Sequence, residues 1–489
     1  MPNKNWSQQQ HDIFRFFANG TGNLVVRARA GTGKTTTIVE ACAHAPASEK
    51  ILLAAFNKKI ATELTQRVTA PNVEAKTLHG LGFAYIRRQW SNIKVDASVD
   101  MDRARAACGK NAPDEMIKLV AKLASLLKAC APMNTDRETI LGIAEEFDCV
   151  PDESWEEEGW TTIDVALKAI VARDAAKERD ADGRISFDDM IFIPVACGFA
   201  RPWYSLVVID EAQDMNASQL MLAQMACKKT GRIVVVGDDC QAIYGFRGAD
   251  ADGIDRLKSE LGAIELGLKT TYRCAKNIVT VAQQYVPDFA SGSVYLGTVD
   301  DLTAGSEAFY KAAQPGDFVL SRKNAPLMAI CLGFLRRGIK ARIEGRDVAV
   351  GLRAIVKSVK ARSIPDFIGR VGTWAGKQIA RAKKLTNEGA RANKIAQIED
   401  QRDMLIALVE GCASIDEATT RIDTLFADST PGTESPFVVC SSVHRAKGLE
   451  ADRVFVLQST IKDSNREERN IAYVAITRAK SHLTWLTDK

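Results

Sequence analysis

The chain lacks several features that would place it in a common class of protein. Its 65 lysines and arginines nearly balance 61 acidic residues, so the net charge of +4 does not by itself predict a nucleic-acid or membrane partner. No apolar run is long enough to span a bilayer and the N-terminus is polar, so we expect neither a membrane segment nor a signal peptide. The eleven cysteines form no Cys-x-x-Cys pair, which argues against a zinc ribbon or an iron–sulfur cluster and favours reduced thiols in the cytoplasm.

The remaining composition is typical of a globular protein. Apolar residues make up 46% and charged residues 26% of the 489 residues. This length predicts about two to four domains. We find no internal repeat and no long low-complexity tract.

A glycine-containing segment follows the first strongly apolar stretch, residues 24–26. It reads Ala-Arg-Ala-Gly-Thr-Gly-Lys-Thr-Thr at residues 28–36, ahead of a helix-favouring stretch, so the pattern predicts strand, loop and helix. The glycines and the free N–H groups of a helix N-terminus suit a phosphate, while Lys34 can reach the outer phosphates and Thr35 can ligate Mg²⁺. The pattern predicts a P-loop, with Ala28 at the usual position of the first glycine. The alternative is a tight turn without a ligand.

Two later apolar stretches also end in polar loops. Residues 205–209 lead into Asp-Glu-Ala-Gln-Asp at residues 210–214, and residues 233–236 lead into residues 237–249. In an α/β sheet, ligands bind outside the carboxyl ends of the strands. We therefore expect Asp210 to hold Mg²⁺, directly or through water, Glu211 to polarise the attacking water, and Gln241 to touch the terminal phosphate. Asp-Glu after a strand is otherwise an ordinary turn, but its pairing with a P-loop predicts nucleotide hydrolysis.

Other loops carry residue types that suit a nucleic-acid strand. Phe56, Asn57 and two lysines follow the apolar residues 51–55, and Tyr244, Phe246 and Arg247 follow Gln241. Aromatic rings can stack on bases while amide and basic groups contact phosphate. Each stretch can also be a plain strand–loop–helix or a turn with core aromatics.

Two regions are predicted to be mainly helical insertions. The first covers about residues 83–180, with an acidic loop at residues 152–158 that we interpret as solvated. The second includes residues 351–394, which hold eleven lysines and arginines against Asp366 and Glu388. This basic face either contacts nucleic acid or is a solvated charged helix pair. Residues 429–436 have the composition of a linker.

Taken in order from Gln10 to Ala479, these motifs resemble those of the UvrD/Rep/PcrA group of superfamily 1 DNA helicases. The resemblance rests mainly on the P-loop and on residues 210–214, 237–249, 443–450 and 468–479. It implies an α/β fold with two RecA-like domains, each with an inserted helical subdomain. The implied boundaries are 1–85 with 181–267 for the first domain (1A), 86–180 for its insertion (1B), 268–350 with 436–489 for the second domain (2A), and 351–435 for a short 2B-like insertion.

The resemblance also implies a set of site residues. ATP would be bound by Gln10, Ala28, Ala30, Gly31, Thr32, Gly33, Lys34, Thr35, Thr36, Tyr272 and Glu450, with Thr35 and Asp210 holding Mg²⁺. The catalytic residues would be Lys34, Asp210, Glu211, Gln241, Arg273 and Arg478, the last two as arginine fingers. DNA would contact Phe56, Asn57, His79, Tyr244, Phe246, Arg247 and His444.

The implied activity is an ATP-dependent DNA helicase that translocates 3′→5′ on single-stranded DNA and unwinds tailed duplexes, with repair or replication proteins as partners. Phe246 stands where the family often has tryptophan, and Thr36 where many relatives carry an arginine near the adenine. The short 2B-like region keeps open a translocase that displaces proteins but unwinds weakly. An ATP-switched DNA-binding scaffold is a further alternative, against which Glu211, Arg273 and Arg478 argue, and a small-molecule kinase is remote.

Overall fold

The chain folds into two units, each built on a six-stranded sheet. The computed structural model describes residues 6–55, 57–151, 155, 158–243, 253–385, 388–426 and 437–488. One unit comprises residues 1–29 and 33–269, and the other comprises residues 30–32 and 270–489. All strand pairs in both large sheets are parallel, so the predicted α/β fold with two parallel sheets is confirmed.

The sheet of the first unit has the strand order β3-β2-β6-β7-β1-β8, and β4 and β5 form a separate short pair. The strands of this unit are β1 (Leu24–Ala28), β2 (Ile51–Ala55), β3 (Val73–Thr77), β4 (Lys94–Val95), β5 (Arg184–Ile185), β6 (Tyr204–Ile209), β7 (Cys227–Gly237) and β8 (Ile264–Leu268). Apolar residues fill the central strands without alternation because helices cover both faces of the sheet. Neighbouring Val25 and Val26 thus lie in two different core clusters, one on each face.

The described helices of this unit are α1 (Gln8–Asn19), α2 (Lys34–His44), α3 (Lys58–Arg67), α4 (Leu78–Gln89), α5 (Val99–Cys108), α6 (Asp114–Cys130), α7 (Arg137–Glu146), α8 (Thr162–Asp174), α9 (Asp189–Ala196), α10 (Ala217–Ala226) and α11 (Gly253–Leu261). Ser7 caps α1: its side chain accepts from the backbone N–H of Gln10, and the Gln10 side chain accepts from the Ser7 N–H in return.

Helices α5 to α8 pack around their own apolar core, which includes Val120, Leu123 and Ala169. A buried ionic cluster joins them to α9, where Asp189 accepts from both Lys128 and Arg103. Lys128 and Asp189 are almost fully buried, so each depends on the other to offset the cost of leaving water.

The second sheet has the strand order β11-β16-β15-β12-β14-β13, with β9 and β10 as a separate pair. The strands are β9 (Thr270–Thr271), β10 (Ala290–Ser291), β11 (Thr298–Thr303), β12 (Phe318–Ser321), β13 (Ala341–Ile343), β14 (Val438–Ser442), β15 (Ala451–Leu457) and β16 (Ala479–Thr487). The described helices are α12 (Lys276–Ala282), α13 (Glu307–Ala312), α14 (Ala325–Arg336), α15 (Arg346–Val359), α16 (Ile364–Ala382), α17 (Glu388–Val409), α18 (Ile415–Leu425), α19 (Val443–Ala446) and α20 (Arg466–Ile476).

Helices α15 to α18 share one continuous core with the second sheet. Leu405 of α17 and Phe367 of α16 belong to the same buried cluster as Phe334 of α14 and Phe455 of β15. This helical group is therefore anchored on the sheet rather than packed only on itself. Among the residues that the structure describes, no helix is long and apolar enough to cross a membrane.

Candidate nucleotide site and nucleic-acid interface

Three of the predicted motifs meet at one edge of the first sheet. Strands β6, β7 and β1 are consecutive neighbours and run parallel, so their carboxyl ends lie side by side. The P-loop follows β1, Asp210 and Glu211 follow β6, and the loop with Gln241 follows β7. The strand order thus brings together residues that lie about 200 positions apart in the sequence.

The P-loop has a backbone conformation that requires its glycines. Gly31 and Gly33 have φ of 68° and 77°, the left-handed region that side chains with a Cβ disfavour. Helix α2 then begins at Lys34, with Gly33 as its N-cap. Ala28, the last residue of β1, and the loop residues Ala30 and Thr32 are buried. The free N–H groups of the α2 N-terminus and the open glycine backbone suit an anion such as phosphate.

Lys34 and Glu211 form the central ion pair of the site. The Lys34 Nζ lies 2.6 Å from the Glu211 Oε2, and the two side chains are 12% and 26% exposed. Burial alone would lower the pKa of Lys34, but the carboxylates of Glu211 and Asp210 outweigh it and raise that pKa above its ordinary value. The ammonium is therefore held charged. Glu211 has a left-handed backbone, with φ of 53°, which aims its side chain at the P-loop lysine.

Asp210 is buried, and the nearby Thr35 hydroxyl acts to lower its pKa. Burial, with the charge of Glu211, raises the pKa of Asp210 to about 6. A buried carboxylate next to a hydroxyl offers the oxygen ligands that Mg²⁺ prefers, and a bound cation would favour the ionised form. These two residues fit the predicted magnesium site.

Gln213 connects the loops that follow β6 and β7. Its Nε2 donates to the Glu211 Oε2 at 2.6 Å, and its Oε1 accepts from the Asp238 N–H at 3.1 Å. A Cβ on Gly237 would lie 2.5 Å from that Oε1, so only glycine permits the approach. The Gln241 Nε2 in turn donates to the Asp238 Oδ2 at 2.6 Å. Sequence reasoning assigned no role to Gln213 or Asp238.

A second guanidinium lies in this network. Arg29, inside the P-loop segment, contacts the Asp238 Oδ1 at 3.1 Å and the Asp239 Oδ1 at 2.9 Å. Burial raises the pKa of Asp238 even though Arg29 acts in the opposite direction. Burial would also raise the pKa of Asp239, but Arg29 and Arg27 outweigh this effect and lower that pKa. The sequence motif contained Arg29, but nothing in it indicated this long-range partnership.

Gln10 and Thr36, both predicted to be near the base of the nucleotide, have partners within the first unit. The Gln10 Nε2 donates to the Thr37 Oγ1 at 2.8 Å, which ties α1 to α2. The Thr36 hydroxyl accepts from the Arg67 Nη2 at 2.7 Å. The sequence lacks an arginine at position 36, yet the last turn of α3 places a guanidinium next to it.

In the second unit, Arg273 and Arg478 lie near each other. The Arg273 Nε is 2.6 Å from the Glu450 Oε2, and both arginines donate to Thr477. Arg478 is almost fully buried and also donates to the carbonyls of Val474 and Leu449.

Burial, together with the nearby charge of Arg273, lowers the pKa of Arg478 to about 10. Burial would raise the pKa of Glu450, but Lys480 and Arg273 outweigh this effect and lower that pKa. Tyr272 is exposed and His444, in α19, is half-buried.

Two predicted DNA-binding residues lie at the carboxyl ends of β2 and β3. Asn57 is exposed and its side chain caps α3 by accepting from the N–H of Ile60. The His79 ring stacks on Phe187, with ring centroids 3.9 Å apart, and burial lowers the pKa of His79 to about 4. The imidazole is therefore neutral near pH 7, which favours stacking over charge. Phe187, 57% exposed, was not predicted as a site residue.

The remaining DNA-binding predictions, Phe56, Tyr244, Phe246 and Arg247, lie outside the described residues. The predicted basic face falls on α15 to α17. Its exposed cations include Lys357, Lys360, Lys377, Lys383 and Lys384.

A parallel sheet with a P-loop after β1 and an acidic pair after β6 defines the nucleotide-binding unit of a P-loop nucleoside triphosphatase. Comparison with known families makes this more specific. Residues 6–262 match the UvrD/REP helicase N-terminal domain, and residues 437–486 match the UvrD-like helicase C-terminal domain. The chain belongs to the UvrD/REP helicase family.

Individual relatives are more distant. Over 54% of this chain, the sequence is 25% identical to the ATP-dependent DNA helicase PcrA of Bacillus subtilis. Over 54% of this chain, it is also 27% identical to the ATP-dependent DNA helicase Rep of Escherichia coli. These matches cover 37% and 41% of the two relatives, so the matched part spans about two fifths of their length. A PcrA of Staphylococcus epidermidis is 24% identical over 98% of this chain and 83% of its own length.

Proposed function

We propose that this protein is an ATP-dependent DNA helicase whose ATP hydrolysis is stimulated by single-stranded DNA. Membership of the UvrD/REP family supports the class of activity. The observation that carries the chemistry is the Lys34–Glu211 pair beside Asp210, at the edge where β1, β6 and β7 end.

The side chains would divide the chemistry of phosphoryl transfer among them. Bound Mg²⁺ would neutralise phosphate charge, and Thr35 and Asp210 would hold it. Lys34 would leave Glu211 for the incoming phosphate oxygens, and the released carboxylate would then accept a proton from the attacking water. Gln241, held by Asp238, would contact the terminal phosphate. Arg273 and Arg478 are proposed to stabilise the charge of the transition state, and Gln10, Tyr272 and Glu450 to contact the rest of the nucleotide.

We further propose that DNA binds at the β2–β3 side of the first sheet. His79 and the exposed Phe187 ring offer a stacking surface, and Asn57 offers an amide. Phe56, Tyr244, Phe246, Arg247 and His444 are assigned to DNA binding by the sequence resemblance alone. The helices α5–α8 would form the 1B-like insertion, and the basic helices α15–α17 part of the 2B-like one.

The finer features of the activity are proposals from the same resemblance. We propose that the protein moves in the 3′→5′ direction and unwinds tailed duplexes. We also propose repair or replication proteins as its partners and a cytoplasmic location. The names of the relatives, which include DNA helicase II of Escherichia coli, support the helicase activity but not its direction.

The test combines ATP hydrolysis with strand separation. Purified protein should hydrolyse ATP faster when single-stranded DNA is added, and it should separate a 3′-tailed duplex but not a 5′-tailed one. Lys34→Ala should abolish both activities. No increase in hydrolysis with DNA would refute the proposed function, whereas stimulated hydrolysis with displacement of streptavidin but no unwinding would support the protein-displacing translocase.

A further inference from the structure

One nitrogen atom joins the P-loop segment to the loop that carries Gln241. The Arg29 Nη1 lies 3.1 Å from the Asp238 Oδ1, 2.9 Å from the Asp239 Oδ1 and 3.1 Å from the Cys240 Sγ. The Arg29 side chain is 8% exposed and Asp238 is fully buried. The interaction is therefore shielded from solvent, where a charge-assisted contact is strong and its loss is costly.

Asp238 distributes its two oxygens between different partners. Its Oδ1 accepts from Arg29 and from the Cys240 N–H, while its Oδ2 accepts from the Gln241 Nε2 at 2.6 Å. Because both oxygens belong to one rigid carboxylate, a rotation that breaks the Arg29 contact also displaces the acceptor of Gln241. The Arg29 guanidinium thus fixes the plane of the group that orients the Gln241 amide.

We propose that Arg29 is a positioning residue for ATP hydrolysis, which acts through Asp238 to hold Gln241 in place for the terminal phosphate. The inference rests on the proposed function, since Gln241 is assigned to the phosphate there. Arg29 itself follows the last residue of β1, and its N–H donates to the Leu268 carbonyl of β8, so its backbone is fixed by the sheet. Through this arrangement, the position of Gln241 depends on Arg29 at the start of the P-loop.

The same cluster could be considered as a metal site, because Asp238, Asp239 and Cys240 place their ligand atoms within 4.8 Å of one another. The Arg29 guanidinium contacts all three of these atoms, and Arg27 also pairs with Asp239 at 2.9 Å, so two arginines face the two carboxylates. A cation there would have to displace a buried arginine. We therefore assign the cluster to positioning rather than to metal binding.

The test measures kcat and KM for ATP with saturating single-stranded DNA, below the lowest melting temperature of the variants. Arg29→Met should lower kcat by about 10–100-fold, since a misplaced catalytic group costs rate rather than binding, and should change KM by less than about threefold. Arg29→Lys keeps a cation and should recover part of the lost kcat. If Arg29→Met does not fold, Arg29→Lys serves as the test variant and should show a smaller loss of the same kind.

Arg232→Met is the matched control. Arg232 is equally buried in the same unit, pairs with Glu49 and donates to the carbonyls of Phe16 and Phe17, away from the phosphate edge. This variant should lower the melting temperature and leave kcat unchanged, which separates a structural role from a positioning role.

A double mutant tests whether Arg29 acts through Gln241. Gln241→Ala should lower kcat, and adding Arg29→Met (or Arg29→Lys) should lower it by no more than about threefold further, because the group being positioned is already absent. Losses that multiply would overturn the inference. If wild-type protein and Gln241→Ala behave as proposed while the Arg29 variant keeps wild-type kcat, this inference alone fails. If wild-type protein shows no DNA-stimulated hydrolysis, the proposed function and the inference both fail.

Discussion

Replacing Glu211 with glutamine tests both consequences of the Lys34–Glu211 pair. The Lys34 Nζ is 2.6 Å from the Glu211 Oε2 in a mostly shielded position. In our mechanism this contact has to break before Lys34 can bind a phosphate. Glutamine keeps the shape of the side chain but removes its charge. We therefore expect Glu211→Gln to bind ATP more tightly while it loses hydrolysis.

The size of both effects follows from the nature of the contact. A hydrogen bond that involves charged groups contributes about 1.5–3 kcal/mol and a neutral one about 1 kcal/mol; the bond to glutamine loses the charge of one partner, so it should hold Lys34 about 0.5–2 kcal/mol less strongly. At about 1.4 kcal/mol for each factor of ten, ATP affinity should rise about 2–30-fold. Loss of the proposed general base should lower kcat by about 10²–10⁴-fold.

Calorimetric titration of ATP with Mg²⁺ measures the affinity, and steady-state hydrolysis with single-stranded DNA measures kcat. Glu49→Gln is the matched control, since Glu49 pairs with Arg232 at 2.8 Å and is 22% exposed. It should leave both quantities unchanged. Unchanged or weaker ATP binding by Glu211→Gln would show that the ion pair does not compete with phosphate, and wild-type kcat would show that Glu211 is not the base.

Two further predictions concern the buried ionic cluster and the stacking surface. Asp189→Asn should reduce the free energy of unfolding by about 3–5 kcal/mol in urea denaturation at pH 7, because Lys128 and Arg103 lose a buried counter-charge. Burial acts to raise the pKa of Asp189, but Lys128 and Arg103 outweigh it and lower the pKa. Its stabilising effect is therefore present above the unfolded pKa, near 3.8, and is lost as the pH falls through the lower folded value. The wild-type advantage over Asp189→Asn should thus shrink in acid, and an advantage that is constant with pH would contradict this reasoning. Phe187→Ala should weaken single-stranded DNA binding in fluorescence anisotropy by about 1–3 kcal/mol, whereas Ile264→Ala, at a similarly exposed apolar position, should not. Equal affinities would remove Phe187 from the DNA surface.

The fold class could be predicted from sequence because its signals are local. Residues 206–209 and 233–236 are continuous apolar runs, and each is the buried part of a strand that leads into a polar loop. Parallel strands with helices between them place such loops at one edge. This is why the sequence alone predicts that the P-loop, Asp210 and Gln241 belong to one site.

The partnerships inside the site were not predictable in the same way. Arg29 and Asp238 are separated by 209 positions, and His79 and Phe187 by 108 positions. No local pattern indicates which side chains meet across such distances, nor that the guanidinium of Arg478 points into its own unit. The residue type determines which interactions a side chain can make, but strand order and side-chain direction determine which residues it contacts.

The Lys34–Glu211 pair would couple the binding of ATP to activation of the proposed general base. While Lys34 is paired with Glu211, the ammonium occupies the carboxylate oxygen Oε2 that the mechanism needs as a proton acceptor. Phosphate oxygens are the competing acceptors for Lys34, so binding of ATP would both fill the P-loop and release the base. Gln213, which bonds to Glu211 and to the Asp238 N–H, would keep the released carboxylate oriented and in register with the loop of Gln241. In the proposed mechanism, binding of ATP and activation of the base would be one event at this site.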